Sequence, residues 1–92
     1  MAISAVVAVG EVADPLVDAI KVRLDKVRIG PGTDPDSEMG PLITREHREK
    51  VASYVEGAAG EGATVVADGR EQRFDGEGFF IGVSLVDHVR PA

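Results

Sequence analysis

Apolar residues fill almost every position of the opening stretch, Met1-Ala-Ile-Ser-Ala-Val-Val-Ala-Val-Gly10, with no polar lead-in. Positions 3–9 lack the apolar–polar alternation of a half-solvated strand, so they predict a strand covered on both faces. Asp14-Pro15 then offers an N-cap followed by proline at the first helical position. Leu16, Val17, Ile20, Leu24 and Val27 recur at helical spacing and predict a helix over about 14–28 with one apolar stripe. Asp14 and Asp18 near its amino end, and Lys21, Arg23, Lys26 and Arg28 further along, suit the helix dipole. Gly30-Pro31-Gly32 ends it.

A loop punctuated by Pro31, Pro35 and Pro41 leads to Thr44, which can cap a second helix over about 44–59. Glu46 and Lys50 form a favourable pair four residues apart, and Val51, Tyr54, Val55 and Ala58 supply the apolar face. Gly60-Glu61-Gly62 stops this helix. Thr64–Ala67 reads as a short strand closed by Asp68-Gly69, Arg70–Gly78 as a polar exposed excursion, and residues 79–86 as a last strand. The order strand-helix-helix-strand-strand predicts an α/β sheet with at least one helical crossover. Such a small sheet leaves an edge unpaired. The abrupt apolar start and the open edge together give the expectation of a piece cut from a larger fold.

Ninety-two residues make one small domain at most, and a chain of that size buries only somewhat more than roughly 60% of its unfolded surface. The formal net charge of −6, with only four aromatic residues, argues against nucleic acid as a partner. No run approaches the roughly 18 apolar residues of a membrane span, and the start lacks the basic flank of a signal peptide, so no membrane partner is expected. With no cysteine there is no disulfide, no thiol nucleophile and no thiolate metal site, and a cytoplasmic location is the expectation.

The candidate chemistry is sparse. Gly30-Pro-Gly-Thr-Asp-Pro35 lacks the third glycine of a dinucleotide loop and follows a helix rather than a strand, so it reads as a turn. Asp34, Asp36 and Glu38 imitate the start of a calcium loop, but Met39 stands at the sixth position and Arg45 at the twelfth. His47 and His88 lie too far apart for a metal site and lack an evident acid or nucleophile partner. None of Ser4, Ser37, Ser53 and Ser84 sits in Gly-x-Ser-x-Gly, and Asp25 and Glu56 read as solvated helix charges. By residue chemistry alone the chain carries no catalytic, cofactor-binding or metal-ligating set.

Several segments nevertheless resemble one family in order and spacing. Met1-Ala-Ile-Ser, Arg28-Ile-Gly-Pro-Gly-Thr-Asp-Pro35, Met39-Gly-Pro-Leu-Ile-Thr44, Glu61-Gly-Ala-Thr-Val-Val-Ala-Asp-Gly69, Gly78-Phe-Phe-Ile-Gly82 and Leu85-Val-Asp-His-Val89 follow the pattern of aldehyde dehydrogenases. Within that family the chain is most similar to the CoA-acylating methylmalonate-semialdehyde dehydrogenase branch. The resemblance implies a partial catalytic domain in which Met1 corresponds to the residue just after the family's catalytic cysteine. The glutamate general base and the dinucleotide domain of the family lie upstream, and its Glu-Glu-Ile-Phe-Gly-Pro segment downstream.

In that family a cysteine thiolate adds to the aldehyde, backbone N–H groups stabilise the oxyanion, hydride passes to NAD, and CoA takes up the acyl group. The resemblance therefore implies NAD and CoA as cofactors of the parent enzyme, with none expected to bind this chain tightly. It implies a scaffold role beside the aldehyde site, with an aldehyde substrate reached through the parent enzyme only. A chain inactive alone is the expectation. The alternative is a non-enzymatic module that pairs with full-length dehydrogenase subunits through its open sheet edge.

Overall fold

The computed structural model describes residues 4–74 and 77–90. A single 3-10 turn, Gly10–Val12, leads into helix α1 (Ala13–Leu24). Helix α2 (Arg45–Gly60) and strand β1 (Thr64–Ala67) follow, then a second 3-10 turn at Gly69–Glu71, and finally strand β2 (Leu85–Asp87). The strands pair antiparallel, with Thr64 opposite Asp87, Val65 opposite Val86 and Ala67 opposite Leu85; the register shifts between Val65 and Ala67. Both helices contact β1. The chain is α/β, as its sequence pattern indicates.

The second helix shows most plainly why these residues fold as they do. The Thr44 hydroxyl accepts the His47 backbone N–H at 3.1 Å, satisfying one of the free donors at the helix start. At the far end Gly62 takes φ +89°, Ala63 N–H donates to the Ala58 carbonyl and Gly62 N–H to the Ala59 carbonyl. This left-handed stop needs glycine and closes the last open carbonyls. Val55 is the most buried apolar residue of the described chain, 8% exposed, with Val51, Ala52 and Ala58 half-buried beside it. Tyr54, expected on that face, is 67% exposed, because its position turns it to the solvent flank.

Helix α1 departs further from expectation. Asp14 lies inside the helix rather than capping it; the N-cap is Val12, without a side-chain bond. The helix ends at Leu24, short of 28, where Lys26 N–H and Val27 N–H bond to the carbonyls of Arg23 and Leu24 in tight three-residue steps. The Arg28 carbonyl is taken instead by Glu38 N–H at 2.7 Å and Met39 N–H at 3.2 Å, which pulls that turn out of the helix and pins the neck of the 28–39 loop.

The strand expected over 3–9 is not present at residues 4–9, and position 3 lies outside the described residues. Val9 has extended angles, but a strand exists only against a neighbour, and no strand pairs with this stretch among the described residues. Far from being covered on both faces, Val7 is 90% exposed, with Val6 and Val9 also open to solvent. The strand expected over 79–86 shrinks to Leu85–Asp87. Phe79 makes an isolated bridge to Leu42, and Gly82 and Ser84 turn their bonds toward Gly69 instead of a ladder. Of the 70–78 excursion, Arg70 and Phe74 are half-buried while 71–73 and 77–78 are exposed; residues 75–76 lie outside the described residues.

The radius of gyration is 14.2 Å, against about 12 Å for a compact domain of this length. The accessible surface is 7511 Å², roughly half as much again as a folded monomer of this size presents. The excess is partly apolar: Val6, Val7, Val9, Val12, Val22 and Ile43 all stand well exposed.

Candidate functional site

The best-defined local geometry in the chain lies where β1 meets the second 3-10 turn. Asp68 follows the strand and caps the turn, its Oδ1 accepting Arg70 N–H at 3.0 Å. The Arg70 guanidinium folds back onto the same carboxylate, Nε at 2.9 and 3.2 Å from the two oxygens and Nη2 at 2.7 Å from Oδ2. These side-chain bonds hold the Asp68 carboxyl below the usual aspartate value of 3.8, against the opposing effect of partial burial. The same contact raises the Arg70 pKa. Between the pair sits Gly69, whose N–H donates to Ser84 Oγ at 2.8 Å and whose carbonyl accepts Gly82 N–H at 2.9 Å.

Beside this clamp is an open cleft of about 440 Å³, lined among the described residues by the start of α2 and by residues within 69–74 and 78–81. Arg48, Arg70 and Arg73 line it with Gln72, and Phe74 and Phe80 form an apolar wall, their ring centroids 5.5 Å apart. Arg48 also lies 5.9 Å above the Phe79 ring, within cation–π range. A second open hollow of about 400 Å³ lies between the end of α1 and β1, floored by Leu24, Val27, Val66 and Val83.

The residues singled out by sequence are dispersed. Asp34 Oδ1 accepts Asp36 N–H at 2.9 Å and Glu38 Oε1 accepts Arg28 N–H at 3.1 Å, so these acids serve their own loop. Among the described residues no group of three His, Cys, Asp or Glu could hold a metal ion. Ser53 Oγ donates to the Lys50 carbonyl at 2.6 Å and Ser84 accepts from Gly69, while Ser4 is exposed, so these hydroxyls are structural or solvated. His47 is an exposed first-turn residue. His88, at φ 56°, does gain a neighbour that the sequence hid: the strand register brings its Nδ1 within 3.1 Å of Thr64 Oγ1. Its Nε2 is 3.8 Å from Asp87 Oδ2, too long for the bond that would orient a catalytic base.

The glycine loop does not fit a dinucleotide. It leaves a helix rather than a strand, a Cβ on Gly32 would meet nothing within 4 Å, and one on Gly30 would meet only the Ser37 side chain. No backbone cradle for a pyrophosphate exists there. The Asp68–Arg70 clamp was also missed by sequence reading; its signal is an acid two residues before an arginine at a glycine turn.

Comparison with known proteins supplies what the site geometry lacks. The aldehyde dehydrogenase family model matches residues 1–92. The chain belongs to the aldehyde dehydrogenase family. It is 44% identical over 92 residues to malonate-semialdehyde dehydrogenase 2 of Geobacillus thermodenitrificans, a match covering 99% of this chain and 19% of the relative. The crystal structure of methylmalonate-semialdehyde dehydrogenase from Oceanimonas doudoroffii superposes with a TM-score of 0.84 at 44% identity, over 90% of this chain and 18% of that one. Betaine aldehyde dehydrogenase from Staphylococcus aureus, solved in complex with NAD+, superposes with a TM-score of 0.78 at 35% identity, over 84% of this chain and 16% of that one. The chain thus spans about a fifth of the length of the dehydrogenases it matches.

Proposed function

We propose that this chain is a scaffold portion of a malonate- or methylmalonate-semialdehyde dehydrogenase of the NAD-dependent, CoA-acylating kind. The observation that carries the reading is the similarity to semialdehyde dehydrogenases along nearly the whole chain, matched by the same backbone course. Oxidation of an aldehyde through a thioester needs a thiolate, and these 92 residues contain no cysteine. The described residues also lack a paired nucleophile and base and a dinucleotide cradle. What the chain contributes is two helices and a strand pair that back a larger catalytic domain, with NAD and CoA held elsewhere.

The exposed apolar surface supports a second reading, in which the chain associates with intact dehydrogenase subunits through residues 4–9 and α1. Val6, Val7 and Val9 face solvent on a stretch that pairs with no strand among the described residues, and another sheet can accept such a backbone.

One experiment tests both. The purified chain, incubated with malonate semialdehyde or methylmalonate semialdehyde, NAD and CoA, is expected to form no NADH. Turnover by the chain alone would sink the scaffold reading. Coexpression with a tagged malonate-semialdehyde dehydrogenase is expected to retain the chain on the affinity resin only if the second reading holds.

A further inference from the structure

Helix α1 spends only part of its apolar surface inside the chain. Val17, Ile20 and Leu24 are half-buried, and the helix contacts β1. Val12, Leu16 and Ala19 follow one another at intervals of four and three, so they share the neighbouring face. All three are exposed, Val12 by 58% and Leu16 by 38%. Val22 flanks this stripe at 59% exposed, and Arg23, four residues beyond Ala19, ends it.

Charge decides which occupant the stripe fits. Between residues 11 and 28 four acids meet four bases, so the whole net charge of −6 lies on the remainder of the chain. A second copy approaching through that remainder would bring acidic surface against acidic surface. At the α1 face two copies meet without that repulsion. The stripe also carries opposite charges at its ends: Glu11 stands beside Val12 at the start, and Arg23 closes the last turn. Parallel pairing would set Arg23 against Arg23 of the other copy. Antiparallel pairing sets it near Glu11 instead, and opposes the two helix dipoles favourably.

Size and shape agree with this. A two-fold axis crossing the helix between Leu16 and Ala19 lays each Leu16 over the partner's Ala19, a large side chain into the gap beside a small one. The accessible surface of 7511 Å² exceeds that of a compact monomer of this length by about 2,400 Å². A small specific interface takes roughly 600 Å² from each copy. We propose that the chain forms a two-fold dimer through antiparallel pairing of α1, with Leu16 and Ala19 at its centre and Glu11 facing Arg23 at each end. The partner is a second copy of this chain, so the inference goes beyond the association with intact dehydrogenase subunits considered above.

Sedimentation equilibrium of the full chain over a range of concentrations, with no dehydrogenase present, tests it. A monomer–dimer equilibrium with a dissociation constant of roughly 10–100 μM is expected, and no larger species, because a two-fold contact closes on itself. Ala19→Glu places a good helix former at an exposed position and is expected to weaken dimerisation at least about tenfold while leaving the far-UV circular dichroism of the monomer unchanged. Arg23→Glu is expected to weaken it as well, and the double exchange Glu11→Arg with Arg23→Glu to restore it. That restoration would not follow from a merely structural role of either charge. A chain that stays monomeric at several hundred micromolar, open-ended association, or a dimer unaffected by Ala19→Glu would overturn the proposal. A dimer lost in Arg23→Glu but not recovered in the double variant would overturn the antiparallel arrangement.

Discussion

Gly69 and Gly82 meet backbone to backbone: Gly82 N–H donates to the Gly69 carbonyl at 2.9 Å, and there is no room for a side chain on either. A Cβ on Gly69 would overlap the Gly82 carbonyl group, and one on Gly82 would lie 2.9 Å from Gly69 Cα. The obstacle is main chain, which cannot swing aside as a side chain can. Gly69→Ala is therefore expected to cost about 2–3 kcal/mol of stability, read as a lower denaturation midpoint. Gly32→Ala, where an added Cβ meets nothing within 4 Å, is expected to change the midpoint little. Similar midpoints for the two variants would refute the close-contact account.

The Asp68–Arg70 clamp makes a pH prediction with a definite sign. Hydrogen bonds from Arg70 lower the Asp68 pKa in the folded chain below its ordinary 3.8, so folding favours the charged carboxylate. The contribution is fully present above the unfolded-state value and is lost as pH falls through the lower folded value. Asp68→Asn is expected to reduce stability at neutral pH and to flatten the acid limb of the stability curve below about pH 4. The side chains remain 15% and 35% exposed, so the effect is expected to weaken in high salt. An acid limb identical in the wild type and Asp68→Asn would rule the clamp out as its source.

Helix α2 depends on its cap more than a well-buried helix would, because Val55 alone among its residues is buried. Replacing Thr44 by alanine removes the acceptor for the His47 N–H and is expected to cost about 1 kcal/mol. Thr44→Ser and Thr44→Asp are expected to retain most of that. Far-UV circular dichroism during urea unfolding reads the difference, and equal midpoints for the alanine and serine variants would exclude a capping role.

These cases show where sequence was sufficient. The extent of α2 was legible because Thr44 and the Gly60–Gly62 stop are local signals, and Thr64–Ala67 because turn residues bound it closely. The opening stretch was misread because β-branched composition specifies a tendency to extend, whereas a strand also needs a neighbour. Residues 79–84 failed for a related reason: the Gly69–Gly82 approach joins positions far apart in sequence, and nothing near Gly82 announces it. The arginine-lined cleft likewise assembles from α2 and residues within 69–74 and 78–81, so its charges are scattered along the chain. Family membership was legible in the ordered motifs, which the family model matches over residues 1–92.

The exposed valines give the last prediction. Val7 and Val9 are 90% and 81% exposed, so in the chain by itself neither contributes appreciably to packing. Exchanging either for a charged residue in an exposed position ordinarily shifts stability by less than about 0.5 kcal/mol. Within an assembly that covers this stretch, the same charge would be buried without a partner, at a cost of several kcal/mol. Val7→Glu and Val9→Glu are thus expected to leave the denaturation midpoint of the isolated chain nearly unchanged while reducing its retention by a tagged malonate-semialdehyde dehydrogenase at least tenfold. They are also expected to lower binding of an apolar fluorescent dye to the isolated chain, since the patch is then interrupted. Wild-type chain that is itself not retained would rule out association with intact subunits, and retention unaffected by both substitutions would place the contact away from residues 4–9.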